Sequence, residues 1–142
     1  MAGDLKRATS VLGEAIRNSP NDADLYIDRS IALAGTGSHF EAIDDLNRAI
    51  ELDRKRAEAY VFRATAYRQV DAPDLALQDV EAALALKPGL TEALVERGIL
   101  RRQTGNVAGA RADWIAVLQR EPDSPAADAA RDNLEKMDVK VR

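Results

Sequence analysis

Arg29, Arg63 and Arg97 are equally spaced along the chain, and each is followed at one constant interval by an aspartate: Asp45, Asp79 and Asp113. Spacing of this kind marks a chain built from one unit used three times, and a fixed period in this range is the signature of a stacked repeat. The copies run 23–56, 57–90 and 91–124 with no insertion between them. Because a stack buries its core between neighbouring units, the period constrains the fold before any local propensity is weighed.

Within each unit, small and large apolar residues recur at helical spacing in two segments, broken by a turn that carries Gly37, Pro73 and Gly105 in successive copies. Each unit is therefore expected to be a helix–turn–helix. The first segment repeats Tyr26/Tyr60/Leu94, Ser30/Ala64/Gly98 and Leu33/Tyr67/Arg101; the second repeats Ala42/Ala76/Ala110, Leu46/Val80/Trp114 and Ala49/Ala83/Val117. The small residue at the eighth place and the alanine at the twentieth mark where two helix backbones approach most closely, since a larger side chain there overpacks the contact. Pro88 and Pro122 are expected to close the second helices. The pattern predicts helices over 4–18, 23–35, 39–52, 57–69, 73–86, 91–103, 107–120 and 125–138, and no strand. An apolar share of 46% with only six aromatics among 142 residues suits closely packed helices, so the class is all-α.

These places carry a family resemblance. The 34-residue period, the aromatic or leucine at place four, the small residues at eight and twenty-seven, the alanine at twenty, the large apolar residue at twenty-four and the proline at thirty-two resemble the tetratricopeptide repeat family. The resemblance implies a right-handed superhelical solenoid of helix–turn–helix repeats, with a groove lined by the first helices. This chain departs from the pattern at Arg54, where proline is usual, at Arg101, where an aromatic is usual, and in carrying Arg rather than Leu at place seven of every unit.

Residues 1–22 read as a half repeat: Ala8, Leu12, Ala15, Ile16 and Pro20 fall on second-helix places, and Gly3-Asp4 falls on the turn between paired helices. Its stripe of Ala8, Leu12 and Ala15 is expected to lack one partner. That points to a piece of a longer protein or to a homo-oligomer formed through the half repeat. At the other end Ser124 and Pro125 open a polar capping helix over 125–138, followed by a tail at 139–142.

The inventory argues against catalysis. There is no cysteine and one histidine, His39, which leaves only carboxylates as clustered metal ligands, and no carboxylate series has calcium-loop spacing, so no enzyme activity, metal or cofactor is expected. His39 opens a second helix and is expected to be partly buried or part of the turn. Gly35-Thr36-Gly37 follows no strand and fails the context test for phosphate binding. A net charge of −4 gives no general attraction to nucleic acid or anionic lipid. Arg54-Lys55-Arg56 reads as a solvated turn between repeats. No apolar run approaches a membrane span and the first residues lack the apolar core of a signal peptide, so a soluble chain with no membrane insertion is expected.

The Arg/Asp series is expected to be structural, each pair joining the two helices of its own unit. Function is expected in the groove, as the resemblance implies by position. Its residues are Asp24, Ile27, Ile31, Ala34 and Gly35 in the first unit, Glu58, Val61, Thr65, Arg68 and Gln69 in the second, and Glu92, Val95, Ile99, Arg102 and Gln103 in the third. Asp28, Phe62 and Glu96 stand beside them at the sixth place. The acids form an expected rim, the Ile and Val residues a floor, and Arg68 with Arg102 a basic ledge. The implied function is non-catalytic binding of a protein or peptide partner, basic and partly apolar; the alternative is a spacer or self-association element, to which the small apolar surface of Ala108, Ala112 and Ile115 would contribute. Family members that grip chaperone C-terminal carboxylates use Lys and Asn at the fifth and ninth places. Here these places hold Ile27, Ile31, Val61 and Thr65, so such a clamp is not expected.

Overall fold

The computed structural model describes residues 2–141, with the side chains of 2–138. It contains eight helices: α1 (Ala2–Asn18), α2 (Ala23–Gly35), α3 (His39–Leu52), α4 (Ala57–Gln69), α5 (Pro73–Leu86), α6 (Thr91–Gln103), α7 (Val107–Arg120) and α8 (Pro125–Val141). There is no strand among the described residues. Six helices coincide with the expected bounds, and the two end helices run further. α1 begins at Ala2, so Gly3 and Asp4 lie within a helix and not in the expected turn; among the described residues no helix packs before α1 for such a turn to reverse. α8 continues to Val141 in place of the expected tail, and Met1 and Arg142 lie outside the described residues. No helix of the described residues is long and apolar enough to cross a membrane.

Pairing follows the repeat. α2 packs on α3, α4 on α5 and α6 on α7, while each second helix also meets the first helix of the next unit. The first helices touch one another, α2 with α4, α4 with α6 and α6 with α8, whereas α3, α5 and α7 make no mutual contact. A two-layer stack whose one layer is closed up and whose other is splayed curves toward the closed layer. The concave face therefore belongs to α2, α4 and α6.

The turn inside each unit is set at one backbone position. Gly37, Asp71 and Gly105, equivalent places in the three units, have φ of 81°, 62° and 93°, the left-handed region that ends a helix sharply. In the second copy an aspartate takes this strained place, and Pro73 is the first residue of α5, where its missing N–H costs nothing.

Close approach explains the small residues. Ala42, Ala49, Ala64, Ala76, Ala83 and Ala110 are at most 1% exposed, and Trp114 is fully buried among Leu94, Ala127, Ala130 and Met137, so it joins the third unit to α8. Its indole N–H donates to the Val95 carbonyl at 3.2 Å. Ser124 caps α8, accepting from Ala127 N–H at 3.0 Å.

All three expected ion pairs form. Arg29 donates to both oxygens of Asp45 at 2.8 and 2.6 Å, Arg63 to Asp79 at 2.8 and 2.7 Å, and Arg97 to Asp113 at 3.1 and 2.9 Å. The hydrogen bonds to these carboxylates raise the arginines above their ordinary range. The two later arginines also reach back one unit: Arg63 donates to Asn47 at 2.8 Å and Arg97 to Glu81 at 3.5 Å. The place equivalent to Asn47 in α1 is Gly13, where an added Cβ would lie 3.7 Å from Arg29 Nη1. Likewise Tyr26 donates to the Pro20 carbonyl as Tyr60 does to that of Arg54. Both contacts put α1 in the register of a second helix. Arg101, the departure at place eleven, donates to Asp113 at 3.0 Å, so one carboxylate serves two guanidiniums.

Candidate partner-binding groove

The concave residues fall into three groups. The first is built into the core: Ile27 and Val61 are 6% and 7% exposed, and Val95 and Ile99 are half-buried against the cluster around Trp114. The expected floor is thus mostly closed, because the fifth place of each first helix turns into the stack. Gly35 is confined by Leu5 of α1, whose Cδ1 would lie 2.8 Å from an added Cβ.

The second group is charged and already partnered, which corrects the expected rim and ledge. Asp24 is bound by Arg56, whose guanidinium is raised by that hydrogen bond. Arg56 is therefore not a spare cation in the turn. Lys87 donates to Glu58 at 2.6 Å, and this bond holds the Glu58 carboxyl below its usual range. Glu96 is buried at 5% exposure and accepts from Thr65 at 2.8 Å and from Arg68 at 2.5 and 3.2 Å. Arg68 and Glu96 thus belong to a bridge between α4 and α6, and neither offers a free charge to a ligand.

The third group is available. Asp28 and Glu92 are exposed and have no ion-pair partner among the described residues. Gln69 and Gln103 are exposed at the helix ends, and Arg102 is half-buried without a carboxylate partner among the described residues. Ile31 is 47% exposed and Phe62 37%. Their relation follows from the bridge next door. Thr65 at the ninth place bonds Glu96 at the sixth place of the following unit, and one unit earlier those places hold Ile31 and Phe62. At these places the seam between α2 and α4 therefore presents two exposed apolar side chains where the seam between α4 and α6 presents a hydroxyl bonded to a buried carboxylate.

Sequence reasoning placed Phe62 beside the groove residues at the sixth place but did not single out its exposure. The signal was the sixth place itself, where Asp28, Phe62 and Glu96 vary while neighbouring places keep their character. His39 is half-buried at the start of α3, and its Nδ1 is buried without a hydrogen-bond partner. Among the described residues no group of three or more His, Asp or Glu side chains gathers to hold a metal ion.

The sequence model of the tetratricopeptide repeat matches residues 63–135, just over half of the 142 residues. Over 50 residues the chain is 44% identical to the protein SGT1 homolog of Oryza sativa subsp. japonica, covering 35% of this chain and 14% of that protein. It thus spans only a small part of that relative. Among solved structures, the first tetratricopeptide repeat domain of Spaghetti (RPAP3) bound to the HSP90 peptide SRMEEVD has a TM-score of 0.73 and 25% identity, over 84% of this chain and 92% of that one. The APC/C hetero-tetramer Cut9-Hcn1 has a TM-score of 0.84 at 18% identity, over 96% of this chain and 28% of that one, a likeness of fold alone.

Proposed function

The chain belongs to the tetratricopeptide repeat family, and we propose that it is a non-catalytic protein-interaction module that takes a partner peptide or helix on the concave face of α2, α4 and α6. The observation that carries this reading is the exposure of Ile31 and Phe62, at places that face each other across the seam between α2 and α4. An apolar side chain of the partner would be buried there, removing water from both faces of the contact. Asp28, one turn before Ile31 on α2, favours a Lys or Arg next to that anchor. Charge selection rests on Asp28 and Glu92, because Asp24, Glu58 and Glu96 are already neutralised. The similar RPAP3 domain, bound to an HSP90 peptide, supports peptide binding as the kind of function. The absence of Lys and Asn from the fifth and ninth places here argues for a ligand other than an acidic tail.

The test is a titration with a peptide alternating Leu and Lys, in the wild type and in Phe62→Ala. Binding that weakens several-fold in the variant supports the reading; equal affinity removes Phe62 as the anchor. Self-association is the second reading, favoured by Val107 and Ile115 on α7, which are 45% and 40% exposed. Sedimentation of the chain as a monomer would leave that surface without a self-association role.

A further inference from the structure

The places that form the bridge between α4 and α6 recur at each seam of the concave face, and each seam fills them differently. Thr65 and Arg68, at the ninth and twelfth places of α4, bind Glu96 at the sixth place of α6, which closes that seam. Between α2 and α4 the same places hold Ile31, Ala34 and Phe62, with no charge. Between α6 and α8 they hold Ile99, Arg102 and Ala130. The guanidinium is kept there and its carboxylate is not.

α8 is seated so that the comparison holds. It packs on α7 and α6 as α6 packs on α5 and α4, and Ala127 at its third place is 0% exposed, as are Ala59 and Ala93. Ala130 is also fully buried and offers no side-chain acceptor. Arg102 is half-buried and has no hydrogen-bond or ion-pair partner among the described residues. A cation suits the last turn of a helix, which accounts for the charge of Arg102. It does not account for the missing acceptor, since Arg68 in the same turn of α4 is held by Glu96 at 2.5 and 3.2 Å.

We propose that Arg102 binds a carboxylate side chain of the groove's partner, which takes the place that Glu96 fills one seam earlier. Bidentate pairing with a carboxylate is the strong contact of a guanidinium, and its fixed fork makes it selective for where the acid stands. The inference rests on the groove reading, which supplies the ligand, and adds a second determinant at a set distance from the first. Successive first helices are packed neighbours, so the seam of Ile31 and Phe62 and the seam of Arg102 lie two helix spacings apart, about 16–20 Å. An extended peptide covers that distance in roughly five or six residues. The partner is thus a segment with an apolar anchor and an acid about that far from it, and the closed seam between α4 and α6 lies under the stretch that joins them.

The probe is a fluorescein-labelled peptide with a Lys-Leu-Lys core followed, roughly six residues from the leucine through a Gly/Ser spacer, by Glu, Gln or Lys. A second set places that residue before the core, because the seams fix a spacing and not a chain direction. Against the full chain, fluorescence anisotropy should show the Glu peptide of one set bound several-fold more tightly than its Gln and Lys forms. Arg102→Gln should abolish the difference between Glu and Gln, and Arg102→Glu should make the Lys form the tightest. A residue that only stabilised the end of α6 would lower the melting temperature when replaced and leave the order of the peptides unchanged. Equal affinity of the Glu and Gln peptides in both sets, or an order that survives Arg102→Gln, overturns the proposal; if Phe62→Ala still weakens them all, the groove reading stands without it. Failure of the Glu peptides to bind while the alternating Leu/Lys peptide does bind overturns it as well. Binding by none of the peptides, the Leu/Lys peptide included, removes the groove reading and this inference together.

Discussion

Gly98 lies so close to Trp114 that a β-carbon there would overlap the indole Nε1 and sit 2.7 Å from Cε2. The repeat's eighth place is small because the tryptophan of the facing helix fills the space that a side chain would need. Gly98→Ala should therefore cost ~1–3 kcal/mol in urea unfolding, the range of overpacked cores, despite alanine's better helix propensity. Trp114→Ala should cost ~3–5 kcal/mol. Native tryptophan emission should be blue-shifted, and water-exposed emission would contradict the burial of Trp114.

Removing Asp79 leaves Arg63 without its bidentate partner while Tyr60 and Tyr67, with ring centroids 5.7 and 5.8 Å away, still enclose it. Arg63 keeps a fifth of its side chain exposed, so Asp79→Ala should cost about 2–4 kcal/mol, less than a fully buried charge. Replacing both residues by leucine should recover most of that loss. Additive losses in the double variant would mean that the two residues act separately.

Asp71→Gly should stabilise the chain by up to ~1 kcal/mol, since glycine adopts the left-handed conformation without the Cβ contact that aspartate accepts there. A lower melting temperature in the variant would mean that the Asp71 side chain contributes more than its backbone strain costs.

The period, the helix bounds and the three ion pairs were legible because each recurs once in every unit, within the unit's own two helices. The state of the groove charges was not, because their partners lie far along the chain: Arg56 with Asp24 and Lys87 with Glu58 join the two ends of a unit, 32 and 29 residues apart. Burial of Glu96 depends on Thr65 and Arg68 in another unit, and no composition rule marks that. Asp71 went unread for a different reason: Pro73 gave the stronger turn signal two residues later.

The bond from Lys87 lowers the Glu58 carboxyl's pKa in the folded chain. A lowered folded value stabilises above the unfolded one, ~4.3 for glutamate, and this contribution is lost as pH falls through the folded value. The pair is solvent-accessible, so the wild type should exceed Glu58→Gln by only ~0.2–1 kcal/mol at neutral pH and low salt. That difference should vanish in acid; a difference that persists there would not come from the ion pair.

The most direct test of the interaction surface is amide chemical-shift mapping of the full chain with the Leu/Lys peptide and its Leu/Glu counterpart at low ionic strength. Saturable shifts should centre on Asp28, Ile31 and Phe62, with the Lys peptide bound more tightly and its advantage shrinking as salt is added. Shifts confined to the outer faces of α3, α5 and α7, or no saturable shift with either peptide, would contradict a concave binding face.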